Sequence, residues 1–557
     1  LTGKHSHKNG FMRNGNRGFD GSQQTLPKIL QANGYETAII GKWHLVSKPT
    51  GFDHWMILND QGDYYNPYFI TEGDTARHKG YVTDLITQYC EDWMSGREDK
   101  NKPFFLMMHH KAVHRNWVPA ERHYHLYEHT QFPLPDNYYD AYEGRYAAQM
   151  QKMNIYRDMY EGHDLKMVAG MNSDSLLFDP WPHAFLGTME PDERRRFMDA
   201  YRERNNEFYS KQRTFKEVAE WKYQRYLQDY MACVASVDES VGEILDYLKR
   251  TGLDKNTIVV YTTDQGFYLG EHGWFDKRFM YEESFGMPMV MSWPGHIKPG
   301  TQVTGLTQNI DFAPTFLDMC GIEIPEDMQG VSFRRLVERG NTPRNWRKSI
   351  YYHYYEFPGF HSVRAHYGVK MERYKLMHFY VDDKWELYDL EEDPAEMHNL
   401  YGEKGMEKVD SVVKSNKVLL SLVGQRDLLI SLHKTRATDW DFLLIVDMQK
   451  ASKMDLLKDQ VETVLAMSGF TVTNRMHNGI NILEMRDPDT RDVFYTAFVD
   501  NHLVGSYTSG LVESAINSRN KPKIGLDQSF IETEKLVSGK GLVRVFINYA
   551  RIPQFMS

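Results

Sequence analysis

The sequence predicts an α/β protein in which a largely parallel central sheet lies between layers of helices. Three times within the first 330 residues, a helical segment leads through a polar turn into a short strand that is apolar throughout. Continuously apolar strands are typical of a sheet that helices cover on both faces. Beyond about residue 340 this alternation stops, which predicts a small antiparallel subdomain followed by a separate α+β unit.

The three helix–strand units have recognisable boundaries. The first predicted helix runs over 25–32, the second ends near Met94, and the third ends at Gly252. The strands that follow them run over 37–40, 104–108 and 257–261. Asn33-Gly34 is a turn-forming pair between the first helix and its strand. Gly252 is a typical C-terminal cap, because glycine adopts the left-handed backbone at low cost.

The remaining segments differ from this pattern. The stretch 120–225 is rich in Tyr, Met, Arg and Glu and predicts a helical insertion with long loops. Polar and aromatic residues alternate over 345–390, which predicts a small antiparallel sheet. The predicted domains are 1–340, 341–405 and, beyond a charged linker, an α+β domain over 415–557.

Composition excludes several classes of protein. A chain of 557 residues with 41% hydrophobic residues can build a sizeable core, which excludes a disordered or collagen-like protein. The net charge of −10 does not suggest a nucleic-acid-binding protein, and no apolar run approaches the length of about 20 residues that spans a membrane. The three cysteines are far apart and predict neither a zinc site nor a disulfide framework.

Reactive side chains follow each of the three predicted strands. The first strand is followed by Gly41-Lys42-Trp43-His44, the second by HHKAVHRNW over 109–117, and the third by Asp264-Gln265 and EHGWFDKR over 271–278. The carboxyl ends of parallel strands meet at one edge of a sheet, where ligands bind. We therefore expect these groups to converge.

The residue types favour hydrolysis of a sulfate or phosphate ester beside a divalent cation. Lysine offsets the charge of an oxyanion, and histidine can protonate a leaving oxygen. Asp264 and the amide oxygen of Gln265 are suitable ligands for Ca²⁺ or Mg²⁺. The alternatives are a surface loop around Lys42, an ordinary turn after the third strand, and buried structural histidines at His109 and His110.

Three motifs together resemble signatures of the sulfatase family of the alkaline-phosphatase superfamily, over residues 1 to about 403. They are GKWH (41–44), TTDQGFYLGEHGWFDKR (262–278) and ELYDLEEDPAEMHNL (386–400), in the family's order. QGDYYNP (61–67) and HHKAVHRNWVP (109–119) are further similar to bacterial N-acetylglucosamine-6-sulfatases, which desulfate mucin and heparin-type glycans. The resemblance implies an alkaline-phosphatase-like sandwich.

The resemblance also implies roles for individual residues. Lys42 and Lys277 would hold the sulfate oxygens, His114 would be the general acid, and His44 would contact the nucleophile. Asp264 and Gln265 would supply half of a calcium site. The family often has Asn at the second of these two positions, and Gln keeps the amide oxygen but adds a methylene.

In the family, the nucleophile is a formylglycine made from Cys or Ser in a C/S-x-P-S-R motif, just upstream of a Leu-Thr-Gly-(Arg/Lys) segment. This sequence opens with Leu1-Thr2-Gly3-Lys4. We therefore expect the nucleophile, its arginine and an Asp-Asp pair of the metal site to lie before residue 1. A protein of residues 1–557 alone, a truncated sulfatase, is expected to have negligible turnover.

The expected substrate is a sulfated sugar, most simply the 6-O-sulfate of N-acetylglucosamine in a glycan. Candidates that face the sugar are Asp276, Arg278, Glu356, His361 and His366. Trp43, Tyr64 or Trp117 are candidates for stacking on the sugar ring. Family analogy places the protein in the periplasm or outside the cell, although the chain shows no signal sequence.

Two other functions are compatible with the sequence. One is a phosphatase or phosphonate monoester hydrolase of the same superfamily, and the other is a non-catalytic glycan-binding protein. Lys277, after the Asp264-Gln265 pair, favours one metal ion and a singly charged sulfate ester. The sequence fixes no oligomeric state.

Overall fold

The computed structural model describes residues 1–15, 18–402, 428–434, 440–447, 471–486, 493–500, 502–517 and 544–545. The chain divides into two compact units, Leu1–Tyr401 and Gly402–Ser557. Every candidate site residue lies in the first unit. In the described ranges, no helix combines the length and apolar character that crossing a membrane requires.

The described helices, numbered α1 to α11, are Ser6–Asn9, Leu26–Ala32, Val82–Gly96, Tyr146–Met150, Ile155–Asp158, Pro191–Tyr209, Phe215–Thr251, Glu282–Phe285, Phe312–Met319, Arg334–Arg339 and Ser509–Asn517. The described strands, β1 to β18, are Glu36–Gly41, His54–Leu58, Tyr68–Ile70, Thr75–Arg77, Phe104–His109, Val259–Thr262, Met289–Ser292, Ser349–Tyr354, His366–Met371, Tyr374–Phe379, Lys384–Asp389, Leu428–Lys434, Trp440–Asp447, Thr471–His477, Ile480–Arg486, Val493–Val499, His502–Ser506 and Arg544–Val545.

The central sheet has the strand order β4-β3-β2-β1-β5. β1 lies between β2 and β5 and pairs in parallel with both, whereas β3 and β4 add an antiparallel edge. Five of the six residues of β1 are buried, as expected for a strand that helices cover on both faces. The α/β class predicted from the sequence is confirmed, and the ends of β1 and β5 lie side by side.

The longest described helix, α7, packs against α3 and carries much of the core. Thr214 caps its N-terminus by accepting a hydrogen bond from the Glu217 N–H, and the Glu217 side chain accepts in return from Thr214. Gly252 ends the helix with a left-handed backbone (φ 75°), as the sequence predicts. The stretch 120–225, all of it described, contains helices and long loops and no strand, in agreement with the prediction.

Strands β8 to β11 form an antiparallel sheet in the order β11-β10-β9-β8, close to the predicted range 345–390. Its inner face packs on a cluster of buried aromatic residues that includes Trp274, Phe279 and Tyr281. Trp274 lies within the EHGWFDKR motif (271–278), and Phe279 and Tyr281 come just after it. The small sheet therefore supports the loop that carries Asp276, Lys277 and Arg278.

Strand β6 differs from the prediction. It was expected in the parallel sheet, but the structure pairs it antiparallel with β7 in a separate two-stranded sheet. Tyr261, in this strand, is exposed. A short apolar run identifies a strand without identifying its neighbour, which explains the error.

In the second unit, the described strands form a sheet in the order β14-β15-β16-β17-β13-β12-β18. All of these pairs are antiparallel except β12 with β18. Helix α11 packs on β16 and β17, and Val512 and Ile516 are buried there. No motif within these strands or this helix suggests catalysis.

Candidate active site

The ends of β1 and β5 are tied together at Gly41. The φ of Gly41 is 110°, and a Cβ atom there would lie 2.0 Å from the carbonyl oxygen of His109. The next N–H, that of Lys42, donates to the same oxygen at 2.8 Å, and the His109 Nδ1 donates to the carbonyl oxygen of Lys42 at 3.0 Å. Glycine is required here, and the close approach places Lys42 beside the loop that follows β5.

His44 lies two residues further along the same loop. Its Nε2 is 3.1 Å from Oδ1 of Asp60, and the Gln61 side-chain amide lies 3.1 Å from the same ring nitrogen. Burial and the positive charge of Lys42 lower the pKa of His44, against the opposing effect of Asp60. Asp60 is a contact of this site that the sequence reasoning missed.

His114 lies among lysines. Its Nδ1 donates to the carbonyl oxygen of Arg115 at 2.8 Å, which leaves Nε2 as its second ring nitrogen. Burial lowers the pKa of His114 well below its usual value near 6.5, and the positive charges of nearby lysines add to this effect. These lysines are Lys277, Lys42 and Lys111.

The lysines also act on one another. Burial and the charge of Lys277 lower the pKa of Lys42 to about 8, although Asp264 opposes them. Burial lowers the pKa of Lys277, against the opposing charges of Asp276 and Asp264. The structure thus brings Lys42, His114, Asp264 and Lys277 together, although 235 positions separate Lys42 from Lys277 in the sequence. Such a group stabilises a bound anion.

Lys111 is the third lysine of the same group and was given no role of its own from the sequence. Its side chain is 5% exposed, its Nζ donates to the carbonyl oxygen of Gln61 at 3.3 Å, and it lies 5.0 Å from the centre of the Tyr64 ring. Burial and the charge of Lys42 lower its pKa to about 7. Its position three residues before His114 is the signal that could have identified it.

Asp264 and Gln265 follow β6, and the Gln265 side-chain amide donates to Oδ1 of Asp264 at 2.6 Å. Their oxygens fit a hard cation such as calcium, which takes about six to eight oxygen ligands. Within the described ranges, no group of three or more His, Cys, Asp or Glu side chains is arranged to hold a metal ion. This pair therefore supplies part of a ligand set.

Three of the predicted sugar-binding residues form one ion-paired group. Asp276 contacts Arg278, and its Oδ2 lies 3.3 Å from Nδ1 of His361. Burial favours the neutral carboxyl group, but Arg278 and His361 hold the pKa of Asp276 well below its usual value. Glu356 lies in the same loop as His361, but in this part of the structure no hydrogen bond or ion pair joins it to the other three.

Other candidates for contact with a sugar are buried in the protein interior. His366 is 0% exposed, and its Nδ1 donates to the carbonyl oxygen of Arg364. Trp117 is 0% exposed and donates to the carbonyl oxygen of Val113. Trp43 and Tyr64 are also buried, so the prediction that these rings stack on a sugar is wrong. Aromatic character alone does not separate a core ring from a binding platform.

His110 fits the structural alternative. Its Nε2 hydrogen-bonds the Ser240 hydroxyl on α7 at 3.1 Å, and burial lowers its pKa to about 4. His109 is held by Lys42, as described above. Both rings therefore help to hold β5 in place.

Clustered lysines and a histidine at the ends of parallel strands, close to an oxygen-donor pair, define a hydrolase of sulfate or phosphate esters. Comparison with profiles of known families distinguishes between these two kinds of hydrolase. The family described as Sulfatase matches residues 1–322, and the family described as N-sulphoglucosamine sulphohydrolase, C-terminal, matches residues 270–421. The chain belongs to the sulfatase family, and the resemblance seen in its motifs is confirmed.

Individual proteins support this assignment. The chain is 48% identical over 410 residues to an N-acetylglucosamine-6-O-sulfatase of Bacteroides thetaiotaomicron, covering 72% of this chain and 73% of that protein. It is 26% identical over 382 residues to an N-acetylglucosamine-6-sulfatase of Capra hircus, covering 64% of this chain and 57% of that protein. A solved structure, described as a complex with its substrate D-glucosamine-2-N,6-O-disulfate, superimposes on this chain with a TM-score of 0.70. Its sequence is 45% identical, and the match covers 76% of this chain and 86% of that protein.

Proposed function

We propose that this sulfatase hydrolyses the 6-O-sulfate ester of an N-acetylglucosamine unit in a glycan. The observation that carries the proposal is the 48% identity with an enzyme of that name, combined with the cationic group around His114. The cationic group around His114 suits a sulfate ester because buried lysines offset negative charge without requiring solvent to reorganise. Sulfated glycans occur outside cells, so we further propose a periplasmic or extracellular location.

Each residue of the pocket has a proposed role. Lys42 and Lys277 hold the sulfate oxygens, and Lys111 adds charge behind them. Nε2 of His114 donates a proton to the departing sugar oxygen. His44, held by Asp60, contacts the nucleophile.

Two groups that the family uses complete the proposed site. Asp264 and Gln265 would hold a calcium ion, which would offset charge on the sulfate group, and a formylglycine would provide the nucleophile. The 557 residues contain no C/S-x-P-S-R motif from which a formylglycine could form. The residues present bind and orient the ester and protonate the leaving group.

Asp276, Arg278 and His361 are proposed to hold the sugar. A buried carboxylate paired with a guanidinium and an imidazole offers both acceptors and donors to adjacent sugar hydroxyls. Glu356 remains a candidate from the same loop.

The test compares sulfate release from N-acetylglucosamine-6-sulfate with phosphate release from an aryl phosphate. Two preparations are needed: residues 1–557, and the same residues preceded by a segment that carries both the C/S-x-P-S-R motif and the Asp-Asp pair of the metal site. We expect both to bind the sulfated sugar and only the second to release sulfate. Faster phosphate release would indicate a phosphatase, and binding without release by either would indicate a binding protein.

In the active preparation, His114→Ala should slow sulfate release from the sugar by about 10²–10⁴-fold, the usual contribution of a general acid. An aryl sulfate, whose leaving oxygen needs less protonation, should be affected less. The exposed His125→Ala serves as the matched control. An unchanged rate for His114→Ala on the sugar would reject the general-acid role.

A further inference from the structure

A cavity of about 530 Å³ opens beside the proposed sugar-binding group. Its lining includes Asp276, His361 and Arg115, together with Phe178 and several residues of the insertion between 151 and 161. The volume lies within the range of about 300–1,000 Å³ that is typical of ligand sites. The cavity therefore connects the proposed sugar-binding residues Asp276 and His361 with side chains of the insertion.

Four cations line this cavity, and two of them are already neutralised. Arg115 donates to Asp164 at 2.6 Å, and Lys222 donates to Glu161 at 2.7 Å.

Lys152 and Arg157 are exposed, and no carboxylate lies within ion-pair distance of either in the described part of the chain. Asp158, which also lines the cavity, accepts a hydrogen bond from the backbone N–H of Asn154. Asp276 is held by Arg278 and His361. Lys152 and Arg157 are thus two cations of the cavity lining that no described carboxylate pairs, and they are available to an anionic ligand.

Exposed aromatic rings surround the same opening. Phe178 and Phe360 line the cavity and are each 64% exposed. The Phe178 ring centre lies 5.3 Å from that of Tyr160, and the Phe360 ring centre lies 5.6 Å from that of Trp181. Large aromatic side chains that remain exposed as a group indicate a binding surface.

We propose that this cavity binds a second sugar unit, one that carries a carboxylate or sulfate and is joined to the 6-sulfated sugar. The aromatic rings contact the pyranose ring, and Lys152 and Arg157 pair with its anionic group. This proposal rests on the proposed function, because it places the 6-sulfated sugar against Asp276 and His361. It makes the preferred substrate an acidic oligosaccharide instead of a single sugar.

The test measures binding to the full chain by calorimetry. The ligands are N-acetylglucosamine-6-sulfate, its disaccharides with glucuronic acid on the reducing or the non-reducing side, and the matching disaccharides with neutral glucose. We expect the better acidic disaccharide to bind about tenfold more tightly than the monosaccharide, which corresponds to about 1.4 kcal/mol. The same acidic unit bearing a sulfate in place of the carboxylate distinguishes the two anions.

The double variant Lys152→Ala with Arg157→Ala should remove the preference for the acidic over the neutral disaccharide and leave monosaccharide affinity unchanged. Lys255→Ala with Arg335→Ala, at exposed positions outside the cavity, is the matched control. Equal affinity for acidic and neutral disaccharides, or equal weakening of all ligands by the double variant, would overturn the inference. Absence of monosaccharide binding by the unmodified chain would overturn the proposed function as well.

Discussion

His114 lies in a field of positive charge that opposes its proposed role until substrate arrives. Because its pKa is well below 6.5, the ring is neutral at pH 7, and Nε2 has no proton to donate. A bound sulfate ester places negative charge among the lysines and raises the pKa of the histidine. Binding of the ester and protonation of His114 therefore favour each other.

The same lysines make anion binding depend on pH. Lys111, with a pKa of about 7, and Lys42, with a pKa of about 8, are charged below these values and neutral above them. Sulfate binds the charged forms, so its affinity should be highest near pH 6 and fall on the order of tenfold or more by pH 9. Calorimetric titration of inorganic sulfate at several pH values measures this change.

A variant should separate the two pH-dependent decreases in sulfate affinity, one from each lysine. Lys111→Met should weaken sulfate binding at pH 6 and remove the step near pH 7, while the step near pH 8 persists. Lys255→Met, at an exposed position, should leave the profile unchanged. A flat profile between pH 6 and 9 in the unmodified chain would contradict the charge-based explanation.

Individual residues differed in how well the sequence identified them. Lys42 and Asp264 could be found because each lies within two residues of the end of a strand. Lys111 was among the groups expected to converge but was given no role, and Asp60 was missed. A single charged residue in a loop has no periodicity that shows where its side chain points. His366 was wrongly placed because alternation along a strand defines two faces without saying which is buried.

At the scale of elements, the turn after β1 determines where Lys42 and His44 lie. The added Cβ of Gly41→Ala would meet the His109 carbonyl oxygen at 2.0 Å, at a φ that alanine rarely adopts. We expect a loss of about 2–4 kcal/mol in the free energy of unfolding. Urea unfolding followed by tryptophan fluorescence measures it, since all tryptophans except Trp440 lie in the first unit.

Gly242→Ala is the matched control for this substitution. Gly242 lies within α7, and its added Cβ meets nothing within 4 Å. Alanine there should raise the free energy of unfolding by about 0.5–1 kcal/mol, because glycine is a poor helix former. Equal effects of the two substitutions would show that the close approach at Gly41 does not constrain the turn.

A buried lysine connects the loop after β5 to helix α7. Lys166 Nζ donates to the carbonyl oxygens of Asn116 and Trp117 at 2.7 and 2.9 Å and lies 3.1 Å from Asp229 on α7. Lys166→Met removes the ammonium group beside the buried Asp229 carboxylate, which keeps the hydrogen bond from the Tyr201 hydroxyl and the charges of Arg225 and Arg204. Removing one partner of a buried ion pair typically costs about 3–5 kcal/mol. The same urea titration tests this, with the exposed Lys216→Met on α7 as control. A loss below about 1 kcal/mol would contradict the prediction.

At the scale of the whole molecule, the sequence identified the α/β class, the helical insertion and the antiparallel sheet. Each has a local signal: apolar strands after helices, a long polar stretch, and alternating aromatic residues. The pairing of β6 with β7 has no such signal, because it depends on which strands lie nearby in space. The ion pair between Asp276 and His361 likewise depends on packing between segments 85 positions apart.

The division into two compact units leads to a last prediction. All residues proposed to bind sulfate lie between Lys42 and Lys277, within the unit Leu1–Tyr401. A fragment of residues 1–401 should therefore fold and bind inorganic sulfate within about twofold of the full chain, since no charge of the pocket is removed. Circular dichroism verifies the fold, and calorimetry measures the affinity. A folded fragment that loses sulfate binding would show that residues beyond 401 contribute to the pocket, and an unfolded fragment would show that the first unit is not independently stable.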